Sequence, residues 1–418
     1  MGDGAFVHRS ELASGVTVIT EHVPGARSAS LGVWVRVGSR DEPAGAAGAS
    51  HFLEHLLFKG TERLDARSIA VAVDAVGGEM NAYTAKEYTA FYMRVPAGAA
   101  EQALDLLTEV VAAPAFRPAE VEAERQVILE ELSMNEDTPD DLVHTRLFEA
   151  LFPDHPLGWE VLGSAETIEA MSGADIAGFF REHYHPANLV VAAAGAVDHD
   201  WVLERAAARF GASEGGDRPR RSPPAAPPLR RVVERRPTEQ AHLALGWRAF
   251  DHHDEDRYAL QVLNQALGGG LSSRLFQEIR ERRGLAYSVY SAPTSYSDSG
   301  ALSVYVGTAP ERVQQVLTLI TEVVEAIRGE GLTAEELRTA VGFLEGSLLL
   351  GLEDTASRMS RLAGGEALRG RVIAVDEYLA GLRAVTLTDA ARVAERVLAL
   401  EPVLAAVGPF PADAFGPV

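Results

Sequence analysis

The chain has 418 residues, 47% of them hydrophobic, with a formal net charge of -22 and no cysteine. That length and apolar content suffice for more than one hydrophobic core, so at least two domains are expected. The charge argues against nucleic acid as a partner, because phosphate binding needs clustered positive groups, and the missing thiols exclude disulfides and thiolate metal ligands.

No apolar run approaches the ~20 residues of a membrane span, and residues 1–10 lack the basic and apolar regions of a signal peptide. A cytoplasmic location without membrane contact is therefore the expectation. Alternating apolar residues at 15–21 and 28–37 predict two strands. The run His51-Phe52-Leu53-Glu54-His55 follows. An α-helix turns about 100° per residue, which puts His51 and His55 one turn apart on one face with Glu54 beside them. Phe52, Leu53, Leu56, Leu57 and Phe58 make the rest of this helix apolar, so its polar stripe lies in a largely buried segment. Buried charge needs a partner. A salt-bridged structural cluster would supply one, and so would a metal ion. A catalytic zinc takes three protein ligands and leaves a fourth position for water, so a third ligand must come from elsewhere in the chain.

Residues 118–135 predict a second, partly buried helix, marked by Val121, Val127, Ile128, Leu129, Leu132 and Met134. Glu124 and Glu131 stand seven positions apart and share one of its faces. Glu131 is the candidate third ligand, and the local pattern leaves Glu130 open as a competitor.

Residues 211–238, rich in Pro, Gly and Arg, predict an extended connector between a domain at 1–210 and a domain at 239–418. The halves echo each other. LLTEVV at 106–111 recurs as LITEVV at 319–324, each is followed by an Ala-Glu helix start (Ala119-Glu120 and Ala334-Glu335), and residues 241–247 read as the opening strand of the second half. This predicts duplication of one α+β unit. A shift of about 210 positions lays the His51 helix over residues 258–270, with Gln261, Asn264 and Gln265 near the ligand positions. None of them is a good zinc ligand, so metal is expected in the first half only. The Gly-rich turn at 267–273 carries no phosphate-loop motif. Ser272, Ser273 and Arg274 are expected to cap and pack that turn, and Arg282 and Arg283 to be solvated.

The motifs resemble those of the pitrilysin and mitochondrial processing peptidase family of inverted-motif zinc metallopeptidases, over nearly the whole chain. Besides His51-x-x-Glu54-His55, Gly77-Gly78-Glu79-Met80-Asn81-Ala82-Tyr83-Thr84 matches that family's G-G-x-x-N-A-x-T strand, and Glu124 with Glu131 matches its acidic helix. The resemblance implies an α+β fold of two homologous domains, each an antiparallel sheet packed with helices, forming a clam-shell chamber. It implies His51, His55 and Glu131 as ligands of one Zn2+ per chain, Glu54 as general base and Glu124 as an auxiliary acid near the site. Asn81 and Ala82 would form an exposed edge that pairs with an extended peptide, and Arg280 with Tyr287 matches a substrate-binding pair found opposite the zinc. The activity implied is a zinc-dependent endopeptidase or oligopeptidase acting on unfolded peptides in an enclosed chamber. Larger single-chain relatives use four such domains, so a homodimer with shared active sites is expected. A structural or chaperone-like subunit and a dedicated precursor-processing peptidase are the alternatives, the first disfavoured by the intact ligand set.

Overall fold

A computed structural model describes residues 6–212, 215–411 and 414–415; the first residues of the amino-terminal segment and two positions of the expected connector lie outside the described residues. The first half runs β1 (Phe6–Glu11), β2 (Thr17–His22), β3 (Ser28–Val35), α1 (Ala49–Leu57), α2 (Ala66–Asp74), β4 (Glu79–Thr84) and β5 (Thr89–Pro96). It continues through α3 (Ala100–Ala112), α4 (Pro118–Asp137), α5 (Pro139–Leu151), α6 (Ala165–Ala170), α7 (Gly173–His183), β6 (Leu189–Gly195) and α8 (His199–Phe210). The second half runs β7 (Arg231–Arg235), β8 (Ala241–Ala249), α9 (Arg257–Leu267), a π-helical turn (Phe276–Glu281), β9 (Ala286–Ser295) and β10 (Gly300–Thr308). Five helices and a strand complete it: α10 (Val313–Glu330), α11 (Ala334–Gly351), α12 (Thr355–Arg369), α13 (Val375–Ala384), α14 (Leu387–Leu398) and β11 (Val403–Gly408).

Two sheets result, ordered β1-β2-β6-β3-β5-β4 and β7-β11-β8-β10-β9. Apart from the added β1, one is the copy of the other. β2 pairs with β6 in parallel and β7 with β11 likewise, while the remaining neighbours in both sheets are antiparallel. The duplication read from the echoed segments is thus a duplication of topology, and the fold is α+β with two sheets.

The sheets are covered on both faces, and this decides how the chain divides. On β6, Leu189, Val191 and Ala193 join the core under α1 and α3, whereas Val190, Ala192 and Ala194 meet Met359, Leu362 and Ala363 of α12. Both faces being dry, the strand reads as one continuous apolar run. The second sheet is covered by α9, α10 and α14 on one face and by Leu142, Val143, Leu147 and Leu151 of α5 on the other. Gly246 of β8 allows that second cover, since a Cβ there would stand 2.8 Å from Leu151 and 3.0 Å from Leu147.

The linear division at 210 and 239 therefore needs correction. One compact unit comprises residues 1–132, 160–221 and 349–372, the other residues 133–159, 222–348 and 373–418. Each half of the sequence sends one helix, α5 or α12, to the sheet built by the other half. The expected connector at 211–238 runs on from α8 and itself contains β7, which pairs in the second sheet, so it is not a linker throughout; it does not mark the exchange, because packing chooses the covering helix.

Buried ion pairs hold α12 in the first unit. Glu366 accepts from Arg36 at 3.2 Å and from Arg9 at 3.0 Å, Arg358 donates to Glu21 at 2.6 Å, and Thr355 and Ser30 share a hydrogen bond of 2.9 Å. Burial pulls the Arg36 guanidinium down to about 10, still charged at neutral pH. Removing one member of such a pair strands a charge in a dry interior, which costs about 3–5 kcal/mol. Glu366→Ala should lower the unfolding free energy by that order in a denaturant titration. Glu401→Ala, at an exposed pair with Arg230, should cost less than about 1 kcal/mol. Equal small losses at both positions would show that the buried pairs do not hold the exchanged helix.

Candidate metal centre

The helix that carries both histidines starts at an unusual cap. Gly48 sits at φ +93 with no side chain of its own, and a Cβ there would meet Leu162 O at 2.5 Å. Its capping is done at a distance. The Glu42 carboxylate accepts the backbone N–H groups of Gly48 and Ser50, both at 2.7 Å, which satisfies donors that an α-helix leaves open in its first turn. Burial pushes that carboxyl up to about 7, against the two N–H donors that favour its charge. From there Phe52, Leu53, Leu56 and Leu57 enter the core, and the stripe His51, Glu54, His55 remains half-buried.

The second helix, α4, buries Val121, Glu124, Ile128 and Leu132 along one stripe. Two apolar residues expected to help bury it, Val127 and Met134, are 43% and 63% exposed. The choice between the acidic neighbours is clear in space: Glu130 is exposed, while Glu131 turns toward the histidines. Arg117, just before α4, donates to the backbone carbonyls of Lys59 and Thr61 just after α1, and so ties the end of one helix to the start of the other.

Glu131 Oε2 lies 3.7 Å from His51 Nε2 and 3.5 Å from His55 Nε2, and the two rings meet edge to face with centroids 4.7 Å apart. All three donor atoms fall within 4.8 Å of one another, the one such grouping found among the described residues. Ligands held about 2.0–2.1 Å from a tetrahedral ion stand about 3.3–3.4 Å from each other, so these separations fit a shared ion better than direct hydrogen bonds. Burial, with the neighbouring His55, holds His51 down to about 4, leaving its imidazole neutral and its lone pair available at neutral pH. Two imidazoles and one carboxylate form a donor set that suits zinc with a position left open.

Glu54 stands outside this set. Its carboxylate accepts the Thr84 hydroxyl at 2.6 Å, and burial pushes its carboxyl above the ordinary glutamate range. Thr84 ends β4, the last strand of its sheet, where Ala82 is buried, Asn81 is exposed and the Ala82 N–H is taken by Asn81 Oδ1 at 2.8 Å. Glu124 accepts from His55 Nδ1 at 3.0 Å and pairs with Lys59 Nζ at 2.6 Å. Sequence reasoning gave no role to Thr84, Glu42, Arg117 or Lys59. The signal for Lys59 was its place four residues after His55, a cation just beyond the C-terminal end of that helix.

In the second unit Arg280 and Tyr287 also come together. Arg280 lies between the rings of Tyr287 and Phe276, at 4.4 and 4.8 Å from their centroids, and donates to the Tyr287 carbonyl at 2.9 Å. Tyr287 is 80% exposed on β9, the edge of its sheet. Arg282 and Arg283, expected to be simply solvated, both pair with Glu278, and Arg274 forms a two-pronged pair with Glu336. At the positions that correspond to the ligands, Asn264 and Gln265 are buried and Gln261 accepts from the Tyr378 hydroxyl. Those side chains serve packing.

A duplicated α+β fold with an inverted His-x-x-Glu-His helix and a distant glutamate defines a class. Residues 17–165 match the family described as Insulinase (Peptidase family M16), and residues 170–343 match the Peptidase M16 inactive domain. An uncharacterized zinc protease of Streptomyces coelicolor is 45% identical, with 96% of this chain and 90% of that protein covered. An uncharacterized zinc protease of Bacillus subtilis is 38% identical, covering 97% and 98%. Among solved structures, a protease from Helicobacter pylori shares the fold with a TM-score of 0.89 at 23% identity, over 96% of this chain and 99% of that one. The chain belongs to peptidase family M16.

The distant cap makes a testable demand on stability. An unfolded glutamate titrates near 4.5 and folded Glu42 near 7, so between these values the folded state holds the extra proton. Its contribution is complete below about pH 4.5 and is lost as pH rises toward 7. In metal-free protein, Glu42→Gln should flatten the fall in unfolding free energy across that window. An unchanged slope would show that Glu42 is not buried as described.

Proposed function

We propose that the chain is a zinc-dependent endopeptidase or oligopeptidase that hydrolyses unfolded peptides. The observation that carries this reading is the convergence of His51 Nε2, His55 Nε2 and Glu131 Oε2 beside a carboxylate, Glu54, that none of them holds. His51, His55 and Glu131 would hold the zinc, which would supply Lewis acidity for a peptide carbonyl and for a bound water, whose pKa such an ion brings to about 7. Glu54 takes the proton of the attacking water and passes it to the leaving amine, acting first as base and then as acid. Thr84 keeps one oxygen of that carboxylate occupied and aims the other. Glu124 fixes the His55 ring from behind.

The edge strand β4 suits backbone pairing with an extended peptide, which needs Asn81 and Ala82 to release the N–H they now share. Arg280 and Tyr287 offer a cation and an exposed ring to a substrate chain. A homodimer would let one subunit's Arg280 serve its partner's zinc. No helix among the described residues is long and apolar enough to cross a membrane. A cytoplasmic location, and the absence of membrane and nucleic-acid partners, remain part of the same proposal.

Glu54→Gln should keep about one zinc per chain and lose about 10²–10⁴-fold in kcat on an unstructured peptide. Full activity of that variant would remove Glu54 from the mechanism. Mixing Glu54→Gln with Arg280→Ala subunits, each nearly inactive alone, should restore about one quarter of wild-type activity if sites are shared across a dimer, since about half the dimers are mixed with one intact site each. Verified subunit exchange without recovery would reject sharing through Arg280.

A further inference from the structure

The chain contains two lysines, Lys59 and Lys86, among 38 lysines and arginines. Lys59 stands just beyond the helix that carries the histidines, and Lys86 in the turn after β4. Lys86 is half-buried and lies in the field of Glu160 and of Glu42, the carboxylate that caps the start of α1. Lys59 follows the end of α1 and places its ammonium 2.6 Å from Glu124 Oε1, while Glu124 Oε2 is 3.0 Å from His55 Nδ1. The Glu124 side chain is 6% exposed and that of Lys59 33%, so this pair is screened from water on the carboxylate side. Arg117 holds the Lys59 carbonyl and hence the direction of its stem. Elsewhere the chain answers its carboxylates with arginine, through one oxygen at Arg358–Glu21 but, where the fork is free to turn, through both, as at Arg274–Glu336 and Arg63–Glu109.

That contrast gives Lys59 a purpose. A guanidinium is a planar fork that favours both oxygens of a carboxylate, whereas an ammonium is a point charge that can satisfy one. At Glu124 one oxygen must stay free to accept from His55. We propose that Lys59 is a positioning residue of the metal centre: by pairing with a single oxygen of Glu124, it orients the other toward His55 Nδ1, fixes the Nδ1-protonated tautomer and presents Nε2 to the ion. The proposal rests on the zinc reading above. His51 has no such support, for its Nδ1 is buried with no hydrogen-bond partner among the described residues. The two imidazoles are therefore held unequally, and the chain from Lys59 acts on one alone.

The test measures zinc affinity by chelator competition, with the unfolding midpoint of the metal-free protein and the side-chain 15N signals of His55 as separate readouts. Partners behind a ligand typically change metal affinity about 10–100-fold. Lys59→Met should weaken zinc binding at least about 10-fold and shift His55 from the Nδ1-protonated form to a mixture, while the metal-free midpoint reads separately the stability lost with the ion pair. Lys59→Arg, despite its charge, should also weaken binding, by about 3-fold or more, because its fork competes for the second oxygen. In a Glu124→Gln background, Lys59→Met should have no further effect, as Lys59 acts only through Glu124. Unchanged affinity in Lys59→Met, full affinity in Lys59→Arg, or losses that multiply in the double variant would each overturn the proposal. If a variant loses its fold, the tautomer populations in Lys59→Arg decide alone. Wild-type protein that binds no zinc would sink the metal reading itself, an outcome separate from these.

Discussion

Two histidines on one helix and a glutamate on another can share an ion only if the helices are held to within a few tenths of an ångström. In this chain that constraint is met at three points. Glu42 fixes the start of α1, Arg117 ties its end to the start of α4, and Glu124 reaches from the middle of α4 to the His55 ring. Each contact is polar and largely shielded from solvent, so each has a strong directional preference and little competition from water. The apolar residues of both helices supply the bulk of the cohesion, but they tolerate small slips that a metal site does not.

The duplicated unit shows what the site adds to the fold. Both halves build the same strand order with the same parallel pair, and both supply one helix to the other sheet. Only one half places metal-ligating side chains on the helix that follows its central strand. In the other, Asn264 and Gln265 occupy the corresponding helix as packing residues, and Gln265 presses on the glycines of the following turn, where a Cβ would stand 2.5–2.6 Å from its amide. The fold therefore does not require a cluster of His and Glu at this place. In the first half the same place carries it, with the buried Glu54 carboxyl, raised above the ordinary glutamate range, beside three converging donors.

Much of this was legible in the sequence because it depends on local periodicity. The stripe His51, Glu54, His55 follows from the helical repeat, as does the shared face of Glu124 and Glu131, and the edge position of β4 agrees with its mixture of buried and exposed residues. The exchange of α5 and α12 was not legible. Periodicity tells which face of a helix is buried but not which sheet buries it, and α12 conceals its role further by carrying Arg358 and Glu366 into the interior, where they read as a solvated face until their partners Glu21 and Arg36 are seen. Val127 and Met134 misled in the opposite sense, being apolar yet exposed. The local pattern left Glu130 beside Glu131 and only the resemblance chose between them; in the fold Glu131 is the one whose carboxylate turns toward the histidines, a consequence of two helices crossing that no single segment encodes.

The whole account turns on one coordination set, so its most direct test is the zinc K-edge X-ray absorption spectrum of purified protein loaded with one equivalent of metal. The account predicts a tetrahedral first shell of nitrogen and oxygen at about 2.0–2.1 Å, with multiple-scattering features for two imidazoles. The spectrum should lose one imidazole in His51→Ala and again in His55→Ala, and keep both in Glu131→Ala. A six-oxygen shell, or a wild-type spectrum that survives all three substitutions, would contradict it.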